Sequence, residues 1–441
     1  MDNHSDILVI SLLFPPLDYV SGITVSKRII LNNKKVDVLQ SSYDDKESLF
    51  NDCLNEFVNN RILVDIDCDV DWTECIFKFI NKGIKSIKND YLHIYSRSWL
   101  MANHFLAFEY KLKNNSTSWT AEFSDPLIYN LSNKKKSYKQ MIIDDERYID
   151  RINAEIKQSY PNLDLIENKS SAYFVAEYLV YLFADKIIFT NENQREVMLR
   201  QFPVDVYDMV LTKSEIKQHP TLPDKYYHII ESKLKIDNDF INIAYFGNEY
   251  YGKRHFESIF LALESLNHKY KNIIRLYLFN EDQLLLKRLI STLSVKNNII
   301  IKKPVDYLEF LNLTTKFDVL VVNDLITKGN YDINPYLPSK FSDYLGSKSN
   351  IWAICEDGSS LSRSKVKYKS YVDDYKGSSL ELVRILEDNG FEDEDFSIED
   401  IYMQRLTSLN ELYEKEFRNN VKLKKQLKEA KSKKGLFKWL K

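Results

Sequence analysis

"NPYLPSKFSDYLGSKSNIWAI", residues 334–354, places two prolines before a short amphipathic segment and closes on an unbroken apolar run. Pro338 suits the first turn of a helix, where its missing N–H costs nothing. Leu337, Phe341 and Leu345 recur every four residues and are expected in a core. "NIWAI" has no polar alternation, the mark of a strand covered on both faces. Helix followed by a doubly covered strand is the repeating unit of a parallel sheet.

The same grammar extends both ways along the 441 residues. "ILVISLL", "VDVL", "ILVDID", "YLHIY", "SWTAEF" and "DKIIFT" read as strands in the first half. Stretches such as "DWTECIFKFINKGIKSIK" and "SSAYFVAEYLVYLFA" lie between them, with apolar residues at helical spacing. After a polar stretch near 213–238 the pattern restarts with "INIAYF", "IIRLYLF", "NIIIK", "DVLVV" and "NIWAIC". Strands separated by helices predict an α/β chain with two Rossmann-like parallel-sheet domains, facing a cleft. The boundaries read as 1–215, 216–395 and a helical 396–441. A chain of this length is expected to split, because single cores seldom exceed about 250–300 residues.

Composition excludes several classes. A net charge of −3 argues against a general nucleic-acid binder. Cys53, Cys68, Cys75 and Cys355 are scattered without a CxxC pair, which reads as free thiols in a reducing cytosol. "ILVISLLF" followed by Pro15 and Pro16 reads as a buried first strand rather than an export signal. No apolar run approaches a membrane span. "DIDCDVD" (65–71) reads as an acidic loop, so no metal site is expected.

In open α/β sheets ligands bind beyond the carboxyl ends of strands, so the loops there carry the chemistry. In "YFGNEYYGKRHFESIFLALESL" Gly247 permits a tight turn after a strand, and Lys253 and Arg254 precede a helix. A cation pair beside free helix amides is a phosphate seat; the plainer reading is two solvated loop charges. Pro338 leaves the amides of Ser339 and Lys340 among the unpaired donors that attract an anion. Asp343 lies one turn further on the same face, about 6 Å along the axis, where a carboxylate can accept from two ribose hydroxyls. The plainer reading there is an exposed helix residue. Asp125, in the turn "FSDPL", can take a proton from a hydroxyl or simply order the turn. His104 reads as a structural histidine or an acceptor contact. Glu177, on an apolar helix, reads as paired within the core or at the lobe boundary rather than as catalytic, and Asn191 with Gln194 as a capping box.

These residues resemble a known family. The Gly247 loop with its basic pair, followed three strand–helix units later by "PYLPSKFSDYLG", looks like the donor half of GT-B glycosyltransferases, family 4 in particular. "FPPLDYVSGITVSKRI", "WTAEFSDPL" and "ADKIIFTNENQREVML" are similar to segments of the acceptor half, and the likeness spans roughly residues 7–360. The resemblance implies that Lys253 or Arg254 grips the donor diphosphate, that Gly247 and Asn248 form the donor loop, and that Asp343 stands for a ribose-binding glutamate. It puts Gly22, Lys27 and His104 on the acceptor side. It further implies sugar transfer from a nucleoside diphosphate, UDP being the expected one, with retention of configuration. No cofactor or metal is required. The expected acceptors are a cell-surface glycan, a teichoic-acid-like polymer or a lipid-linked glycan. Two departures stand out: the family's first glutamate falls on Pro335, with Asp332 nearby as a substitute, and the usual arginine after the loop glycine is Asn248.

Residues 422–441 hold nine lysines and end near Phe437 and Trp439. Such a tail fits an anionic membrane surface, or a partner helix. The expected location is therefore the cytoplasm or the inner face of the membrane. Two alternatives stay open: a catalytically degenerate partner or chaperone of an active transferase, favoured by Pro335, and a nucleotide-sugar epimerase.

Overall fold

The computed structural model describes residues 4–17, 19–43, 48–66, 72–248 and 256–391, with residues 418 and 422. The chain divides into two compact units. One holds residues 1–222 and 328–342, the other residues 223–327 and 343–441.

The first unit is built on seven strands: β1 (Ile7–Ile10), β2 (Val36–Ser41), β3 (Val58–Val64), β4 (His93–Ser98), β5 (Ser118–Phe123), β6 (Lys186–Phe189) and β7 (Ser214–Ile216). They pair in the order β3-β2-β1-β4-β5-β6-β7, every pair parallel. The second unit has β8 (Ile241–Phe246), β9 (Ile274–Phe279), β10 (Ile299–Lys302), β11 (Val319–Asn323), β12 (Asn350–Cys355) and β13 (Tyr368–Tyr371). Their order is β10-β9-β8-β11-β12-β13, again all parallel. The order reverses beside β1 and β4 in one sheet and beside β8 and β11 in the other. Such reversals of strand order are where open parallel sheets generally bind ligands, beyond the carboxyl ends of the strands.

Central strands are buried on both faces, as β8 and β11 show over their full length. Each sheet also buries a tryptophan completely. Trp119 Nε1 donates to Ser96 Oγ on the adjacent β4 (2.8 Å), and Trp352 Nε1 to Ser370 Oγ on the adjacent β13 (3.0 Å). The ring's apolar area is removed from water and its one polar atom stays satisfied.

The expected strands form, with two additions. β7 and β13 are short edge strands without an apolar run: "SEI" is only half-buried, and "YKSY" alternates. The division between units also differs from a single cut at 215/216. The first unit continues to Leu222 and takes back residues 328–342 from the second half of the chain.

Candidate functional site

In the second unit the loop after β8 is the turn that the sequence suggests. Gly247 has φ +133°, a region closed to side chains with a Cβ. Its N–H donates to Phe279 O (2.9 Å) and its carbonyl accepts from Asn280 Nδ2 (2.9 Å). Asn248 Oδ1 accepts from the Glu281 amide (3.1 Å). The turn is thus braced against the end of β9. Lys253 and Arg254 lie outside the described residues.

The helix Lys340–Ser347 meets the same strand end. Phe246 N–H, one residue before the glycine, donates to the Tyr344 hydroxyl (3.2 Å). Asp343, next to that tyrosine, is only 6% exposed, so it is not a solvated helix residue. Its Oδ1 accepts from the Tyr307 hydroxyl (2.8 Å) and its carbonyl from the Tyr227 hydroxyl (2.7 Å). Burial, then the Asp343 charge, pushes the Tyr307 phenol well up, so it remains a donor. Gly346 leaves room for Tyr227: a Cβ there would meet the Tyr227 oxygen at 2.1 Å. Tyr307 thus orients the carboxylate, while Tyr227, admitted by Gly346, holds the backbone of the same residue.

Two more carboxylates stand beyond β11 and β12, and the sequence reading missed both. Asp324 Oδ2 accepts from the Glu356 amide (2.9 Å) and Ser359 Oγ (2.6 Å). Glu356 Oε2 accepts from the Thr327 amide (2.6 Å). Together they fasten the loop after β11 to the loop after β12.

In the first unit Gly22 is the expected close approach, since a Cβ would lie 2.1 Å from Leu13 O. Lys27 is buried, and its Nζ donates to Ser342 Oγ (2.9 Å), which in turn donates to Ser339 O (2.9 Å). Lys27 is therefore engaged with the returning segment 328–342 rather than turned to an acceptor. Other bonds hold that segment too. Asn191 Nδ2 donates to Pro335 O (3.0 Å), Asn193 Nδ2 to Asn334 O (2.9 Å), and Tyr331 to Asn130 O (2.7 Å). Asp332, the suggested substitute carboxylate, forms a two-pronged pair with Arg200 (2.5 and 2.6 Å). Ser339 and Lys340 are half-buried at the start of the helix, and of the apolar residues expected in the core Leu337 and Phe341 are buried whereas Leu345 is 47% exposed. Asn191 caps its helix through Gln194 N–H (2.9 Å), while the Gln194 side chain reaches back to the Thr190 amide (2.7 Å).

His104 is a core residue, 1% exposed, and this corrects the acceptor contact expected of it. Ser96 Oγ, which accepts from Trp119 Nε1 (2.8 Å), also shares a hydrogen bond with His104 Nδ1 (2.8 Å). Burial, then the Arg97 charge, pushes the ring down to about 3, so it stays neutral. Asp125 is exposed just past the carboxyl end of β5.

The charge centre that the sequence reading missed is Glu122, fully buried on β5. Arg28 Nε donates to Oε2 (3.0 Å), Arg97 Nε to Oε1 (3.1 Å) and the Tyr95 hydroxyl to Oε2 (2.9 Å). One charged residue in an otherwise strand-like "SWTAEF" was the available signal.

Glu177 is indeed a core carboxyl: Tyr181 donates to Oε1 (2.9 Å), and the amides of Leu127 and Ile128 face it. Burial pushes it up from 4.5 to about 8, so it carries a proton at neutral pH. The native state therefore binds more protons than the unfolded chain between these values, and stability falls as pH rises through that window. Glu177→Gln, which is neutral at all pH, should stay within about 1 kcal/mol of wild type at pH 5. It should also lose the downward slope toward pH 8. Urea titrations at the two pH values check this.

Among the described residues no group of three or more His, Cys, Asp or Glu side chains is placed to hold a metal. No described helix is long and apolar enough to cross a membrane. Most of the "DIDCDVD" loop and the basic tail beyond Lys422 lie outside the described residues.

No protein-family model and no curated protein matches the chain in sequence. Solved structures do match it in shape. One is an E. coli structure named for trehalose-6-phosphate and bound with UDP-2-fluoro glucose (10% identity, TM-score 0.51, covering 93% of this chain and 95% of that one). Another is a lipopolysaccharide outer core galactosyltransferase (11%, TM-score 0.52, 95% and 99%). A third, from Listeria monocytogenes, is assigned as a UDP-N-acetylglucosamine 2-epimerase (9%, TM-score 0.52, 90% and 90%). Likeness over nearly the whole of each chain, joined to two parallel sheets of seven and six strands, establishes that this chain has the GT-B fold.

Proposed function

We propose that the protein is a glycosyltransferase that moves a sugar from a nucleoside diphosphate, UDP in our reading, to a cell-surface or lipid-linked glycan acceptor. The observation that carries this is the Asp343 carboxylate, buried and oriented by Tyr307, on the helix that Tyr344 ties to the strand end before the Gly247 turn. A carboxylate held there can accept from neighbouring ribose hydroxyls. Lys253 and Arg254 would meet the charge that builds on the leaving diphosphate, where preorganised cations act most strongly. Asp125, exposed past β5, is our candidate for taking the acceptor's hydroxyl proton. Retention of configuration and metal independence belong to this proposal through the family resemblance. So does a place at the inner membrane face, with the basic tail on anionic lipid.

The epimerase reading keeps a specific support in the Listeria likeness. Incubation with a panel of UDP-sugars separates the two. Transfer releases UDP, and faster with acceptor extract than without; epimerisation interconverts the sugar and leaves UDP attached. We expect acceptor-stimulated UDP release. If calorimetry finds no affinity for UDP or any UDP-sugar, both readings fall, and a binding partner of an active transferase is what remains.

A further inference from the structure

Two large aromatic side chains stand half in water where the first sheet reverses its strand order. Trp99 directly follows β4 and is 46% exposed; Tyr19 precedes the helix Val20–Asn32 and is 43% exposed. Their rings stack with centroids 6.0 Å apart and planes 29° apart. Single exposed aromatic residues are ordinary, but two stacked together beyond the strand ends of an open sheet, where ligands bind, form a surface suited to recognition.

The backbone beneath the pair is braced from several sides. Asn103 ties the chain just past β1 to the end of β4, its Oδ1 accepting from Leu12 N–H (2.9 Å) and its Nδ2 donating to Arg97 O (2.9 Å). Arg97, held by Glu122, reaches Ser21 Oγ (3.0 Å), two residues beyond Tyr19. Gly22 lets the helix seat against Leu13. A platform fixed in advance loses little freedom when something lies on it.

We infer that Tyr19 and Trp99 form the subsite for a sugar ring of the acceptor, stacking on its C–H face. A pyranose has one face rich in C–H bonds and an edge of hydroxyls, so an aromatic floor with solvent at its rim suits it. An alkyl chain would want a closed apolar groove, whereas Trp99 and Tyr19 are open on the outer side. The inference rests on the transferase reading, which makes this unit the acceptor's.

The full chain labelled with 5-fluorotryptophan has five indole signals, and Trp99→Phe assigns the one from Trp99. Methyl glucoside, methyl N-acetylglucosaminide and maltose should shift that signal saturably. Tyr19→Ala should weaken the response about threefold to tenfold. Both side chains are exposed, so an unchanged melting temperature confirms that each variant folds. UDP affinity, read by calorimetry, should be unaltered in Tyr19→Ala. A Trp99 signal silent to every glycoside in a protein that binds UDP overturns the inference while leaving the transferase reading intact. A shift produced by uridine alone, or by octanol but not by the glycosides, overturns it as well. A chain that binds no UDP yet shifts with glycosides sinks the transferase reading and leaves a sugar platform standing.

Discussion

Glu122→Gln should cost the first unit about 3–5 kcal/mol, the range seen when one member of a buried ionic cluster is removed. Glu122 is 0% exposed and receives bonds from Arg28, Arg97 and Tyr95. The amide keeps the shape but loses the charge, leaving the buried guanidinium of Arg97 and the half-buried one of Arg28 without their carboxylate. Desolvation of Glu122 opposes its ionisation, yet the charges of Arg28 and Arg97 outweigh it and hold the carboxyl below its ordinary 4.5. A depressed native pKa stabilises the fold above the unfolded value, and that stability is lost as pH falls through the native one. Wild type should therefore lose stability on acidification below about pH 4.5, and Glu122→Gln should show a shallower loss. Pairing Glu122→Gln with Arg97→Met should restore part of the deficit, because the second change removes one stranded cation. Urea denaturation at pH 7 and pH 4 reads all three. A cost below about 1 kcal/mol for the single change would mean that water reaches the cluster.

How much of this was legible follows from what each residue has to satisfy. Eleven strands announced themselves by an apolar run, as a strand between two helical layers needs in "INIAYF" and "DVLVV", and the edge strands β3 and β10 carry one too in "ILV" and "III". β7 and β13 stayed silent because they are edge strands without such a run, held by backbone pairing. Gly247 and Gly22 were readable because backbone geometry leaves only one residue type. Asp343 was readable as a position on a helix face, but its burial came from Tyr307 and Tyr227, 36 and 116 positions away. Lys27 was placed with the acceptor because sequence shows its own helix and not Ser342, 315 residues on. The return of residues 328–342 to the first unit could not be read for the same reason: side-chain bonds from Asn191, Asn193 and Arg200 decide it. Local chemistry shows through the chain; long-range pairing of polar groups does not.

The largest effect on ligand binding should come from Asp343→Asn, with UDP affinity falling about 10- to 100-fold, the worth of hydrogen bonds to a charged acceptor. The carboxylate offers two oxygens. Tyr307 donates to Oδ1 at 2.8 Å, and ribose hydroxyls would donate to the same carboxylate beside that bond. An asparagine replaces one acceptor with a donor, which meets a hydroxyl far less well and also removes the charge. The sharper check compares UDP with its 2′-deoxy analogue by calorimetry. Wild type should prefer UDP clearly, whereas Asp343→Asn should bind the two within about threefold, because the contact that tells them apart is gone. Tyr307→Phe works from the other side: it removes the donor that orients the carboxylate but keeps the charge. Its loss should be smaller, about threefold to tenfold, with the preference for ribose retained. If Asp343→Asn left both the affinity and the ribose preference unchanged, Asp343 would be a structural acceptor for Tyr307 and the nucleotide would have to sit elsewhere.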